Sequence, residues 1–130
     1  MIVDSSALLA ILRGEPEAEA FRRILEQADV LRISTGNLLE TAIVTDANGD
    51  PVLSRRLDQI IDSVGIVIEP VTEEQARIGR AAYRDFGRGS GHPARLNFGD
   101  CFAYALSRVT GEPLLFKGSD FAQTDLHSAL

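Results

Sequence analysis

The sequence predicts an α/β fold with a central, mainly parallel sheet. Short apolar runs, each the length of a buried strand, alternate with longer segments of helical periodicity along the whole chain. This alternation implies right-handed crossovers, which place helices on both faces of the sheet. The length of 130 residues and the lack of a linker-like segment predict one domain over residues 1–130.

Local patterns place each element along the chain. Short apolar runs predict four strands, at residues 1–4, 30–34, 66–70 and 113–116. Helical periodicity predicts six helices, at residues 5–12, 15–28, 35–47, 52–65, 72–87 and 98–111. Pro16 fits the first turn of the second helix, and Thr72 with Gln75 has the pattern of a capping box at the fifth. Residues 88–97 form the one long irregular stretch.

The composition bounds the class of protein. A net charge of −6 argues against holding nucleic acid by bulk positive charge, but it is compatible with a nucleic-acid enzyme whose acids bind metals. No apolar run approaches the roughly 18 residues of a membrane-spanning helix, and the first residues show no secretion signal. The single cysteine, Cys101, suits a reducing cytoplasm.

Four acidic residues stand at strand ends or among apolar residues of predicted helices. They are Asp4 after the first strand, Glu40 in the third helix, Asp100 at the start of the sixth helix after Gly99, and Asp120 after the fourth strand. Each has a plain structural explanation as a helix cap, a boundary residue or a turn residue. A buried carboxylate is costly unless it is paired, protonated or bound to a metal, so four such positions favour a shared role.

The carboxyl end of the sheet is the place where these acids can meet, because ligand sites of open α/β sheets collect there. Neighbouring carboxylates repel each other, and a divalent cation removes that repulsion. An all-oxygen ligand set suits Mg²⁺ or Mn²⁺, whereas one cysteine and two histidines offer no zinc site. Such a site activates water for phosphoryl transfer, so no side-chain nucleophile is required.

Four segments of the chain resemble the signature segments of PIN-domain ribonucleases, and more narrowly those of VapC-type toxins of bacterial toxin–antitoxin pairs. The similarity runs in the expected order from residue 1 to about residue 126. The segments are "MIVDSSALLAIL", "TGNLLETAIV", "HPARLNFGDCFAYAL" and "LLFKGSDFAQTDL".

The resemblance implies a PIN-like α/β/α sandwich and a Mg²⁺- or Mn²⁺-dependent endoribonuclease with Asp4, Glu40, Asp100 and Asp120 as metal ligands and catalytic residues. It also implies that Ser6 supports Asp4. Relatives often have an acid or Asn at the position of Ser119, and Asp125 is a candidate to replace that function in part. A homodimer and a cognate VapB-type antitoxin are implied as partners, and we expect the antitoxin to present an arginine to Asp4 and Asp100.

RNA requires positive contacts outside the acids. Arginines 77, 80, 84 and 88 recur at helical spacing in the fifth helix, and for most of them a solvated face paired with local acids is the simpler interpretation. Arg88 and Arg95 are the expected phosphate contacts, because the irregular stretch can bring them toward the site.

The third and fourth helices, at residues 34–48 and 50–64, carry more apolar residues than one sheet face needs, which predicts a protein–protein contact. The residues concerned are Leu38, Leu39, Ile43, Val44, Val52, Leu53, Ile60 and Ile61.

Other functions remain open from the residues alone. A receiver domain also combines a parallel α/β fold with a carboxylate Mg²⁺ site, and Lys117 fits its lysine, but paired acids after the first strand are missing. A haloacid-dehalogenase-type phosphatase needs Asp-x-Asp where this chain has Asp4 and Ser6. A non-enzymatic binding module, whose acids only cap helices, is the third alternative.

Overall fold

The computed structural model describes residues 1–130 and contains a sheet of four strands, all parallel, in the order β3–β2–β1–β4. The strands are β1 (Ile2–Val3), β2 (Arg32–Ser34), β3 (Val67–Glu69) and β4 (Leu114–Leu115). The predicted fold class is confirmed, and the sheet is more uniform than predicted because no strand runs antiparallel. Each strand is shorter than its apolar run, since the flanking residues continue without ladder pairing.

Six α-helices flank the sheet, as predicted. They are α1 (Ser5–Leu12), α2 (Ala18–Gln27), α3 (Thr35–Asp46), α4 (Pro51–Val64), α5 (Glu73–Phe86) and α6 (Phe98–Thr110), and a 3₁₀ turn follows at Phe121–Gln123. None of them combines the length and apolar character needed to cross a lipid bilayer.

Two details of the predicted helices are wrong. Pro16 lies in the turn before α2, because the chain reverses at Gly14 and the helix begins only at Ala18. Thr72 caps α5 by accepting a hydrogen bond from the Gln75 N–H, but Gln75 does not complete a capping box. Its side chain instead donates to the carbonyl of Pro70, at 3.2 Å.

Alternating residues of β1 and β4 face two separate apolar cores. Val3, Ile33 and Leu115 face one core, which α1, α2 and α4 cover. Ile2 and Leu114 face the other, which α5 and α6 cover. Because side chains alternate across a strand, two-residue strands are long enough to contribute to both layers. This arrangement is the α/β/α sandwich that was expected.

The chain after the 3₁₀ turn returns to the sheet. Leu114 in β4 donates to the carbonyl of His127 and accepts from Ala129, at 3.0 and 2.9 Å. A parallel bridge thus joins Leu114 to Ser128 on the outer side of β4. The sequence did not predict this pairing, because residues 127–129 show no strand pattern.

The topology brings the segments that carry the four candidate acids to the carboxyl edge of the sheet. Asp4 follows β1 directly, α3 begins where β2 ends, and the segment carrying Asp120 leaves β4 at the same edge. The helix α6 leads within a few residues into the amino end of β4, so its first turn, with Asp100, lies at the opposite, carboxyl edge.

Candidate metal centre

Asp4, Glu40, Asp100 and Asp120, hereafter the acidic cluster, lie close enough for their charges to act on one another. The nearby charge of Glu40 contributes to a raised pKa of Asp4. The charges of Asp4, Asp120 and Glu40 all contribute to a raised pKa of Asp100. Four residues that are widely separated in sequence therefore share one electrostatic environment at the carboxyl edge of the sheet.

Asp4 is 3% exposed, and its two carboxylate oxygens have different surroundings. Its Oδ2 caps α1, because it accepts hydrogen bonds from the backbone N–H of Ser6 at 3.0 Å and from the Ser6 hydroxyl at 2.6 Å. Its Oδ1 is buried without any hydrogen-bond partner. Burial is the largest cause that raises the pKa of Asp4 from 3.8 to about 6. A buried acceptor without a donor is costly, so Oδ1 fits a cation as its missing partner.

Glu40 reaches the cluster through a close approach of α3 and α6. A Cβ atom on Gly99 would stand 1.9 Å from Glu40 Oε2, so only glycine leaves room for this carboxylate. The group that approaches the α6 backbone at Gly99 is therefore the Glu40 carboxylate. The approach is held by Asn37, whose Nδ2 donates to the carbonyl of Gly99 at 2.9 Å and contacts Glu40 Oε1 at 3.5 Å.

Asn37 was missed by the sequence analysis. It is fully buried, and its Oδ1 has no hydrogen-bond partner. The available signal was an amide three positions before Glu40 in a helix of mostly apolar residues. Its partner on α6 is 62 positions away in the sequence, so the contact itself could not be read from a local pattern.

Asp100 caps its own helix and faces the cluster as well. Its Oδ2 accepts from the Asn97 N–H, and Asn97 Oδ1 accepts from the Asp100 N–H, both at 2.9 Å, which completes a capping box at the start of α6. The other carboxylate oxygen makes no hydrogen bond within the chain. Burial, followed by the charges of its acidic neighbours, raises the pKa of Asp100 from 3.8 to about 7.

The fourth signature segment, at residues 114–126, holds one cluster residue and two supporting candidates. Asp120 is half-buried at the start of the 3₁₀ turn, and Ser119 beside it is exposed and makes no side-chain hydrogen bond. Asp125 was a candidate to replace Ser119 in part, but its oxygens are engaged elsewhere. One accepts from the Tyr104 hydroxyl at 2.8 Å and the other pairs with Arg108 at 3.0 Å. Both carboxylate oxygens of Asp125 are therefore paired within the chain, and its supporting role stays a prediction.

The cluster fits a hard divalent cation. Its donors are all carboxylate oxygens, it contains a buried oxygen without a partner, and the charges of its acids contribute to the raised pKa values of Asp4 and Asp100. The side chains do not form a finished ligand set, since no three histidine, cysteine, aspartate or glutamate side chains are grouped closely enough to hold a metal. A bound cation would therefore draw the carboxylates inward.

The arginines divide into paired and unpaired groups. Arg77 pairs with Glu73 at 2.6 Å, and Arg84 pairs with Asp85 at 3.0 Å, as expected for a solvated helix face. Arg80, Arg88 and Arg95 are exposed and make no ion pair. Their roles toward RNA stay predictions.

The exposed apolar side chains differ from the predicted set. Ile61 belongs to the core, and Leu38 and Ile60 pack against it, so these residues of α3 and α4 serve the fold. Leu39, Ile43 and Val52 are exposed, at 61%, 59% and 52%. A groove of about 560 Å³ also opens between α5 and α6, and Phe98 at its rim is 77% exposed.

Comparison with known sequences adds two findings. Residues 1–126 match the PIN domain family. Ribonuclease VapC28 of Mycobacterium tuberculosis is 58% identical over 130 residues, which cover 100% of this chain and 98% of that protein.

The solved structures show the same fold at low identity. The crystal structure of M. tuberculosis VapC20, described as a sarcin-ricin loop cleaving toxin, is 20% identical, covers 96% of this chain and 95% of its own, and gives a TM-score of 0.74. A toxin–antitoxin complex from Klebsiella pneumoniae is 16% identical, covers 93% of this chain and 89% of its own, and gives a TM-score of 0.69.

Proposed function

We infer, from the premise that the chain belongs to the PIN-domain family and within it to the VapC ribonucleases, that it is the endoribonuclease toxin of a toxin–antitoxin pair. PIN-domain ribonucleases depend in general on metal ions, and we propose Mg²⁺ or Mn²⁺ here. The observation that carries the proposal is the buried Asp4 Oδ1, which has no partner and lies within an electrostatically coupled set of four carboxylates. We propose Asp4, Glu40, Asp100 and Asp120 as the catalytic, metal-holding residues.

Each residue has a distinct task in this mechanism. The hydroxyl of Ser6 and the first turn of α1 hold Asp4 Oδ2, so that Oδ1 keeps one orientation. The capping box fixes Asp100 in the same way. Asn37 holds α6 close to α3, and the absence of a side chain at Gly99 lets Glu40 approach. Rigid placement of this kind lowers the reorganisation that the reaction requires.

A divalent cation in such a site supplies positive charge for the phosphoryl oxygens and lowers the pKa of water. In the overall reaction one P–O bond of the RNA backbone breaks, and the oxygen of water becomes bonded to phosphorus. The proton of that water leaves to solvent, and the departing ribose oxygen gains one. The exposed Arg88 and Arg95 are proposed to contact flanking phosphates.

Two partners are proposed as well. A VapB-type antitoxin is expected to present an arginine to Asp4 and Asp100, because a guanidinium there relieves the same repulsion as the cation. Excess Mn²⁺ and the substitution Asp4→Asn should each weaken antitoxin binding. Unchanged affinity under both conditions would show that the antitoxin blocks the enzyme from another surface. A homodimer is the second proposed partner.

The function is tested by RNA cleavage with the antitoxin removed. Cleavage should require Mg²⁺ or Mn²⁺ and stop with excess chelator, and Asp100→Asn should abolish it while the protein remains folded. Asn keeps an acceptor for the Asn97 N–H, so a loss of activity would not come from a lost cap. Undiminished cleavage in chelator would contradict the metal-dependent mechanism.

The capping bonds of Asp4 and Asp100 keep a non-enzymatic binding module as the second candidate, since a cap needs no metal. In that case the purified chain would bind no Mn²⁺ in the millimolar range and would cleave no RNA.

A further inference from the structure

The only lysine of the chain, Lys117, lies between β4 and Asp120 and points its ammonium toward the turn that connects α1 and α2. There it pairs with Glu15 and lies 3.3 Å from Glu17 Oε2, a buried oxygen that otherwise has no hydrogen-bond partner. The Lys117 and Glu15 side chains are 35% and 26% exposed, so this ion pair is more sheltered than those on the outer helix faces.

The backbone of the same residue is connected to the acidic cluster. The N–H of Lys117 donates to the Ser6 hydroxyl oxygen at 2.9 Å. The Ser6 hydroxyl in turn donates to Asp4 Oδ2 at 2.6 Å. Two hydrogen bonds thus link the position of residue 117 to the orientation of the Asp4 carboxylate.

The segment from Lys117 to Asp120 has few other constraints. Gly118 and Ser119 make no hydrogen bond through backbone or side chain, and Gly118 has a φ of +99°. The segment regains fixed contacts only at Phe121, which is buried and packs against Phe116 with ring centroids 5.2 Å apart. The contacts of Lys117 therefore determine the position and direction of the segment that leads to Asp120.

We propose that Lys117 is a positioning residue for the acidic cluster: its ion pairs with Glu15 and Glu17 fix residues 117–120, and so place both Asp4, through Ser6, and Asp120 for cation binding. This inference rests on the proposed metal-dependent function. Removal of a group that orients a metal ligand commonly changes metal affinity by about 10- to 100-fold.

A positioning role and a simple charge effect predict opposite results. If Lys117 acted only through its positive charge, its removal would make the cluster more attractive to a cation, and Mn²⁺ would bind more tightly. If it positions the ligands, Lys117→Met weakens Mn²⁺ binding although a positive charge has been lost. The double substitution Glu15→Gln with Glu17→Gln, which leaves the lysine without its anchors, weakens binding by more than the loss of two negative charges elsewhere on the surface does.

The test measures Mn²⁺ affinity by electron paramagnetic resonance on the full chain, free of antitoxin and RNA and well below its Tm. Lys117→Met keeps the aliphatic stem and the backbone N–H, and we expect its Kd for Mn²⁺ to rise about tenfold. Lys117→Arg keeps the charge and should restore affinity to within about threefold of the wild type. The matched control is Arg23→Met, which breaks the exposed Arg23–Glu19 pair and should leave the Kd unchanged.

The outcomes separate this inference from the proposed function. Equal or tighter Mn²⁺ binding by Lys117→Met, with normal binding by the wild type, overturns the positioning role alone. If the wild type binds no Mn²⁺, the proposed metal-dependent function and this inference are both overturned. Should Lys117→Met fail to fold, the Glu15→Gln and Glu17→Gln variant decides by comparison with Glu19→Gln and Glu26→Gln, which removes the same charge from exposed positions on α2. Weaker Mn²⁺ binding than in this charge-matched variant supports the inference, and equal binding overturns it.

Discussion

Asp4 and Asp100 each use one carboxylate oxygen to cap a helix and leave the other oxygen free of protein hydrogen bonds. The sequence offered capping and metal binding as alternatives, but the geometry makes them compatible. A cap fixes the carboxyl plane through the backbone of the helix, which orients the second oxygen without any further side chain. Residue types alone could not show this division, because it depends on which oxygen faces the backbone.

The raised pKa values of these residues predict a pH-dependent stability without metal. In the folded chain the pKa of Asp4 is about 6 and that of Asp100 is about 7, against 3.8 for an ordinary aspartate. The folded state therefore holds these protons more tightly than the unfolded state, so stability is highest below the unfolded pKa and is lost as pH rises toward 7.

We expect the Tm in chelator to fall by several degrees between about pH 4.5 and about pH 7.5. Asp100→Asn should flatten much of this dependence and raise the Tm at the upper pH, because one buried, repelled charge is gone. Differential scanning calorimetry across the pH range measures both effects. An identical pH profile for the variant and the wild type would disprove this origin of the pH dependence.

Substitution of Gly99 should weaken metal binding without lowering the stability of the fold. Gly99→Ala places a Cβ atom on the Glu40 carboxylate, whose flexible end must move away from the cluster. Alanine gains roughly 0.5–1 kcal/mol over glycine within a helix, so the free energy of unfolding should change little or rise. Mn²⁺ affinity and RNA cleavage should nevertheless fall at least tenfold. A variant that binds Mn²⁺ as tightly as the wild type would exclude Glu40 from the ligand set.

At the scale of elements, the contact between α3 and α6 aligns the site. A Cβ atom on Gly36 would come within 2.6 Å of the Phe102 ring, so glycine permits the two helices to meet at this point. The same approach brings Asn37 to the Gly99 carbonyl.

Gly36→Ala should push the helices apart and cost about 1–3 kcal/mol of the free energy of unfolding, as overpacking does elsewhere. Urea unfolding measures the loss. Gly79→Ala, on α5, is the control. A Cβ atom on Gly79 would stand 3.3 Å from its nearest neighbour, the Cys101 carbonyl oxygen on α6, so a smaller adjustment suffices. If Gly36→Ala lowers the free energy of unfolding no more than Gly79→Ala does, the Phe102 side chain rotates away and the helices need not separate.

The elements themselves were largely predictable, because strands and helices follow local periodicity. The predicted order of elements and the parallel sheet are confirmed. The Asn37–Gly99 bond and the return of residues 127–129 to β4 were not predictable, since both join segments that only the tertiary fold brings together. The predictions for Pro16 and Gln75 are wrong for the same reason. Each residue has a favourable local pattern that the path of the neighbouring chain overrides.

For the whole molecule, exposed apolar residues indicate where a second copy would bind. Leu39 and Ile43 lie one turn apart on α3, and Phe98 begins the helix that packs against α3. Phe98 is supported by Phe102, with ring centroids 5.0 Å apart. The homodimer stays a prediction, and this patch replaces the broader surface of α3 and α4 as its expected interface.

Ile43→Glu should convert a dimer to a monomer, because it buries an unpaired charge at the contact. Its exposure of 59% means that the fold should tolerate the change. Val52→Glu, at a similarly exposed position on α4, is the matched control and should remain dimeric. Sedimentation equilibrium at several concentrations gives the association state. Dissociation by Val52→Glu alone would place the interface on α4 instead.

The return of residues 127–129 to Leu114 also makes the two margins of the sheet unequal. On the β4 side, backbone groups that could recruit a foreign strand are already paired within the chain. The β3 side has no such cover, and Val67 and Ile68 are exposed there, although Glu69 and Pro70 follow directly. A charge and a proline are common obstacles to edge-to-edge aggregation. A partner that extends this sheet beside β3 would pair directly with a strand of the sheet, whereas on the other side it would meet residues 127–129 before β4.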